Sequence, residues 1–213
     1  MNKHLFIKFN QILCYFIVFL PFRVFLGLKL RGILPKSPPK RTMIICNHQS
    51  KIDSFLVCSA MPFRTFLGLI PIYFLTAHVH MKGLNRFFLR LLGCVPVYED
   101  KGRNLVSILK IVELMDEGRT VFVFPEGRRV DDKCHPKPGI AYLASTKKAE
   151  IIPVHLNGAL GIGISDFLLP RRNIIVCIGN PIIPPSGSMS RKKLEEYSNN
   201  LLDKIYDLPN SVA

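Results

Sequence analysis

The sequence has no tryptophan, and its first half has almost no negative charge: residues 1–98 carry 13 Lys or Arg and one acid, Asp53. The other 115 residues carry 16 basic and 14 acidic groups, so the net charge of +14 belongs to the N-terminal half. That half is also apolar. Nucleic-acid modules are basic but polar, with aromatic rings set between the charges. A basic and apolar stretch fits an anionic bilayer instead. An anionic membrane surface is therefore expected, and no nucleic-acid partner.

Other absences narrow the chemistry. The six cysteines (Cys14, Cys46, Cys58, Cys94, Cys134 and Cys177) form no C-x-x-C pair. That argues against a zinc site and a disulfide framework, and for free thiols in a reducing compartment. No G-x-S-x-G occurs, so a serine-hydrolase elbow is not supported. Gly158-x-x-Gly161-x-Gly163 lacks the acid about 20 residues on that a dinucleotide loop needs, and reads as a plain loop. Cys134-His135 has no second pair to share a metal, and His155 on an apolar strand reads as a core histidine. Neither an internal repeat nor a low-complexity segment is present.

What is present begins with an apolar run from Ile12 to Phe22, resumed after Arg23 as VFLGL. A spanning helix needs about 20 apolar residues, and this run falls short unless Arg23 and the helix-breaking Pro21 are counted. Three readings stay open: a signal peptide, though no small-x-small site follows; a single span; or a helix pair lying in the membrane interface. Five basic residues between Lys29 and Arg41 would hold this end against lipid headgroups, each contributing about 1 kcal/mol. They also predict that this side faces the cytoplasm.

Pro35 to Pro39 reads as a linker, which divides the chain into a membrane-associating segment (1–34) and a larger domain (35–213). Strands are expected at Thr42–Cys46, within Leu67–Ala77, and at Cys94–Tyr98, Thr120–Phe124, Ile151–Leu156 and Asn173–Ile178. Between them, helical patterns cover Lys51–Met61, Gly83–Leu92, Asn104–Met115 and Gly139–Lys148, and Ser190–Leu208 closes the chain. Alternating strands and helices imply a single α/β domain with a largely parallel central sheet flanked by helices, plus the hydrophobic N-terminal helical element.

Two loops carry chemistry. Asn47-His48-Gln49-Ser50-Lys51-Ile52-Asp53 leaves one buried strand, and strand ends in α/β sheets are where ligands bind. A His five residues before an Asp across a strand-to-helix turn can hydrogen-bond that carboxylate. The Asp then fixes the tautomer and leaves the other ring nitrogen free to take a proton. A capping role alone could be filled by Ser or Asn, yet the one acid of this half stands here. The second loop, Phe124-Pro125-Glu126-Gly127-Arg128-Arg129, offers a glycine for close backbone approach and two guanidinium forks for phosphate, with Lys137 beyond it.

In these motifs the sequence resembles the glycerolipid acyltransferases related to 1-acylglycerol-3-phosphate acyltransferase. NHQSKID resembles their NHxSxxD motif and FPEGRR their FPEGTR, with Arg128 where Thr is usual. Lys137-Pro138-Gly139 is similar to the K-x-G that follows, Ile152-Pro153-Val154 to the fourth motif, and Gly179-Asn180-Pro181-Ile182 to a late G-x-P-I. The resemblance implies an O-acyltransferase with His48 and Asp53 as catalytic residues. It implies substrate contacts from Asn47, Ser50, Glu126, Gly127, Arg128, Arg129 and Lys137. It also implies a lipid acceptor in the membrane and no cofactor beyond acyl-CoA or acyl carrier protein as co-substrate. Glu99 stands where the second motif usually carries a phosphate-reading Arg, and His78 where Lys is common. Lys101 or Arg103 is then the expected substitute. A lysophosphatidate-type acceptor, a non-phosphate lyso-lipid and a non-catalytic membrane-binding relative all remain open.

Overall fold

The computed structural model describes residues 2–32, 41–98, 100–129, 134–162, 166, 172–185, 187 and 189–211. Among these residues seven strands form one sheet: β1 (Lys29–Gly32), β2 (Thr42–Cys46), β3 (Ile72–Ala77), β4 (Cys94–Val97), β5 (Thr120–Val123), β6 (Glu150–Asn157) and β7 (Ile175–Ile178). Their order is β1-β7-β6-β2-β5-β3-β4. Every pairing is parallel except β6 with β7. This is the largely parallel α/β sheet expected from the alternation of elements.

The helices are α1 (Lys3–Phe25), α2 (Asp53–Ala60), α3 (Phe63–Leu69), α4 (Gly83–Leu91), α5 (Lys101–Asp116), α6 (Gly139–Lys147) and α7 (Arg191–Ser211). The central strands are apolar at successive positions because both faces are covered. Ile44, Phe122, Ile152 and Val154 pack with α1, α2 and α3 on one side. Met43, Ile45, Val121, Val123 and Ile151 pack with Ile111, Leu143, Leu201 and Ile205 of α5, α6 and α7 on the other. Pro96 lies in β4, where a missing ladder donor is tolerated because that strand is the sheet's edge.

The apolar N-terminus differs from a helix pair: one helix runs from Lys3 through Pro21 to Phe25. By length and composition α1 could cross a membrane, but its inner face is tied to the α/β body. Ile7, Tyr15 and Phe22 are buried. The Gln11 amide accepts from the Ile72 N–H (3.0 Å) and donates to the carbonyls of Ile72 (2.6 Å) and Leu92 (2.8 Å). Tyr15 donates to the Met61 carbonyl at 2.8 Å. Residues 29–32 then run as β1 beside β7, so this part of the 1–34 segment is a strand of the domain's sheet. The Pro35–Pro39 linker lies outside the described residues.

Other boundaries are placed more closely by the structure. The strand expected within Leu67–Ala77 is Ile72–Ala77, after Pro71, and Leu67–Leu69 finish α3. Proline disfavours the helical conformation in the residue before it, which is where the helix stops. The second helix begins at Asp53 rather than Lys51, because the two preceding residues are spent in the turn that carries His48.

Candidate active site

The carboxyl ends of β2 and β5, adjacent in the sheet, deliver the two motif loops to the same edge. His48 follows β2, and its Nδ1 lies 2.8 Å from Oδ2 of Asp53. Asp53 opens α2 and its side chain is fully buried, while that of His48 is 20 % exposed. The carboxylate is held from several directions. It accepts from the Gln49 N–H at 2.6 Å, from the Ser50 N–H at 2.9 and 2.8 Å, and from the Ser50 hydroxyl. Negative charge at the first turn of a helix is also favoured by the helix dipole. This answers why the one acid of the basic half is buried: its desolvation is offset by charge-assisted hydrogen bonds.

The imidazole stacks on Phe124, with centroids 3.9 Å apart and rings 16° from parallel. Phe124 belongs to the second loop, so the ring of one motif rests on the other. With Nδ1 on the carboxylate, Nε2 is the nitrogen left to act, and among the described residues it has no hydrogen-bond partner. The arrangement is a buried carboxylate, an oriented imidazole and an open nitrogen at a strand end, which suits a general base.

Glu126 is buried. Its Oε1 accepts from the Tyr206 hydroxyl of α7 at 3.2 Å, and Oε2 has no partner among the described residues. Burial pushes its carboxyl above the usual range. Its own backbone amide, Tyr206 and the His48 imidazole oppose the shift, and the charge of Asp53 adds to it. Tyr206 was not legible as a site residue, since in sequence it is one more apolar position on the closing helix. His155 lies edge-on to Tyr206, with centroids 5.3 Å apart, and burial lowers its pKa. It is the core histidine that its strand implied.

Gly127 has a φ of +66°, and a Cβ there would meet Cε of Lys137 at 2.6 Å. The left-handed turn therefore favours glycine, and the Lys137 side chain occupies the space a Cβ would take. The Lys137 N–H also donates to the Pro125 carbonyl at 2.9 Å. Arg128 and Arg129 are exposed at the end of this loop, and among the described residues neither has a carboxylate partner.

Asn47 and Ser50, grouped with the substrate contacts from sequence, are turned inward. The Asn47 amide donates to the Leu156 carbonyl at 2.9 Å and accepts from the Leu156 N–H at 2.7 Å, clipping β2 to β6. Ser50 is committed to Asp53. Glu99 and the side chains of Lys101 and Arg103 lie outside the described residues. His78 follows β3 at the same sheet edge and stacks on Tyr98 with centroids 4.4 Å apart.

The chain is 26 % identical over 167 residues to the chloroplastic 1-acyl-sn-glycerol-3-phosphate acyltransferase BAT2 of Brassica napus, covering 76 % of this chain and 45 % of the relative. It is 27 % identical over 166 residues to the chloroplastic 1-acyl-sn-glycerol-3-phosphate acyltransferase LPAT1 of Arabidopsis thaliana, covering 74 % and 44 %. The chain thus spans a little under half the length of these curated relatives. In fold it matches the crystal structure of the 1-acyl-sn-glycerophosphate acyltransferase PlsC from Thermotoga maritima, with a TM-score of 0.60 at 19 % identity over 94 % of this chain and 83 % of that one. The pattern of the family described as Acyltransferase matches residues 31–157, from β1 to the end of β6, and so takes in both motif loops. This chain belongs to the Acyltransferase family.

Proposed function

We propose that this chain is an O-acyltransferase that moves a fatty acyl group from a thioester, acyl-CoA or acyl carrier protein, to the hydroxyl of a lysophospholipid at a membrane surface. The observation that carries the reading is the His48–Asp53 pair, whose free Nε2 lies at the edge where β2 and β5 end. Nε2 takes the proton of the acceptor hydroxyl while the Asp53 carboxylate stabilises the imidazolium formed. The alkoxide adds to the thioester carbonyl. The tetrahedral intermediate collapses by breaking the C–S bond, and the thiolate recovers the proton from the imidazolium. A thiol with a pKa of roughly 8.5 leaves with little acid assistance, so one base suffices.

Glu126, Gly127, Arg128, Arg129 and Lys137 supply the polar groups of the second loop, whose Phe124 stacks on His48. Arg128, Arg129 and Lys137 are the cations available for phosphate on acceptor or donor. Backbone N–H groups near Gly127 are the candidates for the oxyanion. Asn47 and Ser50 act one step removed, holding the loop and the carboxylate. Residues 1–34 serve membrane association, with β1 shared, and residues 35–213 the chemistry, at the cytoplasmic face.

A lysophosphatidate-type acceptor is the first choice, supported by the named relatives. One observation favours a second reading, a lyso-lipid without a phosphate monoester: Glu99 replaces the usual Arg with a carboxylate that would repel one. Incubating the purified protein with each labelled thioester and a panel of lysolipids tests both. Acylated lysophosphatidate supports the first reading, and acylation confined to lyso-amino-lipids or glycolipids supports the second. No product from any pair would leave only the membrane-binding relative.

A further inference from the structure

Helix α4 is nine residues long and none of them is buried. Leu84, Phe87, Phe88 and Leu91 recur at i, i+3, i+4 and i+7, which puts them on one stripe. Leu84 is 79 % exposed, Phe87 60 % and Phe88 58 %, and Val79, just before the helix, is 61 % exposed. A helix this short is marginal in water without a packed face, and exposed apolar clusters of this kind mark interaction sites. Lys82, Arg86 and Arg90 surround the stripe and are exposed.

The occupant follows from the charge around the stripe. Residues 1–98 contain no acid but Asp53, which is buried against His48. A second copy of the chain meeting this face would set cation against cation, whereas anionic lipid headgroups neutralise the cations while the acyl layer takes the aromatic rings. The helix also ends against α1, which carries exposed apolar residues of its own. Gln11 of α1 bonds the Leu92 carbonyl at the end of α4. On the side of α1 turned away from the body, Leu5, Phe9, Leu13, Phe16 and Ile17 are exposed as well.

We propose that α4 is a second membrane-seating element, its Leu84–Phe87–Phe88 stripe and Val79 entering the interfacial layer of an anionic bilayer beside the outer face of α1. β3 is parallel to β5 and β5 to β2, so the start of α4 lies at the sheet edge that carries His48. Seating this helix holds that edge at headgroup depth, where a lipid hydroxyl presents itself. The inference rests on the lipid-acceptor reading above, but its test does not depend on turnover.

Because the chain has no tryptophan, a Phe87→Trp variant of the full chain reports on α4 alone. With phosphatidylglycerol–phosphatidylcholine vesicles its emission is expected to shift to the blue and to be quenched by lipids brominated on the acyl chain, and to respond far less to pure phosphatidylcholine. Vesicle sedimentation of a Leu84→Ser/Phe87→Ser/Phe88→Ser variant should show at least about tenfold weaker affinity. No buried side chain is altered, and an unchanged circular-dichroism melt confirms it. Unmoved emission with anionic vesicles, or triple-variant affinity within twofold of wild type, overturns the proposal. A blue shift that tracks protein concentration without lipid assigns the face to a second copy and also overturns it. Failure of acyl transfer alone, with the lipid-dependent emission intact, counts against the enzymatic reading and not against the seating of α4.

Discussion

Tyr206 donates its hydroxyl to Oε1 of Glu126 across 3.2 Å, from a helix that lies beyond the family-matched residues 31–157. That bond opposes the rise that burial imposes on the Glu126 carboxyl. The groups facing the carboxyl are His48 and Asp53 from the first motif and Tyr206 from α7, with His155 of β6 behind Tyr206. Tyr206→Phe removes one of the groups favouring the ionised form, so the carboxyl titrates higher still. If ionised Glu126 serves turnover, the acid limb of the rate profile moves to higher pH. Stability falls by about 0.5–1.5 kcal/mol, the ordinary worth of one hydrogen bond. A profile that superimposes on wild type would reduce Tyr206 to packing.

The same burial gives Glu126 a stability cost with a definite sign. Its folded-state pKa is raised above the unfolded value, so the folded form binds the proton more tightly. Its contribution is intact below the ordinary carboxyl range and is lost as pH rises through the raised value. Glu126→Gln keeps the shape and the Tyr206 partner without the charge. The variant should melt higher than wild type at neutral pH, with the two melting curves converging as pH falls into the ordinary carboxyl range. It should also turn over more slowly. A variant melting below wild type at pH 7 would contradict the assignment.

Asn47 bears on whether a motif residue binds substrate or builds the site. Both ends of its amide are on the Leu156 backbone in the core. Asn47→Ala strands a buried N–H and a buried carbonyl, and should destabilise the fold by about 2–4 kcal/mol. Measured well below the melting transition, its KM for acceptor should stay close to wild type. An unchanged melt with a raised KM would return Asn47 to the substrate contacts.

These cases show which parts of the molecule the sequence made legible. The strand pattern and the motif order were plain because they are local: β2 and β5 are short runs, apolar after an opening threonine, each leading into a motif loop. The pairing of His48 with Asp53 was legible from spacing alone, since five residues fit one strand-to-helix turn. What stayed hidden depends on contacts distant in sequence. Tyr206 lies 80 residues from Glu126 and the Asn47 clip spans 109 to Leu156, and neither leaves a periodic trace. The apolar N-terminus read as a membrane segment because composition cannot distinguish a face packed on a protein from one left exposed, and α1 has one of each.

The firmest test of the mechanism asks whether Asp53 acts through His48 or on its own. Its carboxylate accepts from Nδ1 of His48, the Gln49 and Ser50 N–H groups and the Ser50 hydroxyl. In Asp53→Asn a carbonyl at the Oδ2 position keeps the Gln49, His48 and Ser50 N–H bonds, while the amide nitrogen loses the second Ser50 N–H contact and faces the Ser50 hydroxyl, which can rotate to accept. The fold and the imidazole orientation therefore survive, and what is lost is the charge that stabilises imidazolium. His48→Ala should lower kcat about 10²–10⁴-fold, the usual range for a general base, and Asp53→Asn by a smaller but still large factor. If the carboxylate works only through the ring, the double variant is no slower than His48→Ala, because residues acting as a unit are non-additive. Additive losses in that double variant would mean that Asp53 meets the substrate or the oxyanion directly, and a His48→Ala enzyme retaining more than a few per cent of wild-type turnover would end the general-base mechanism.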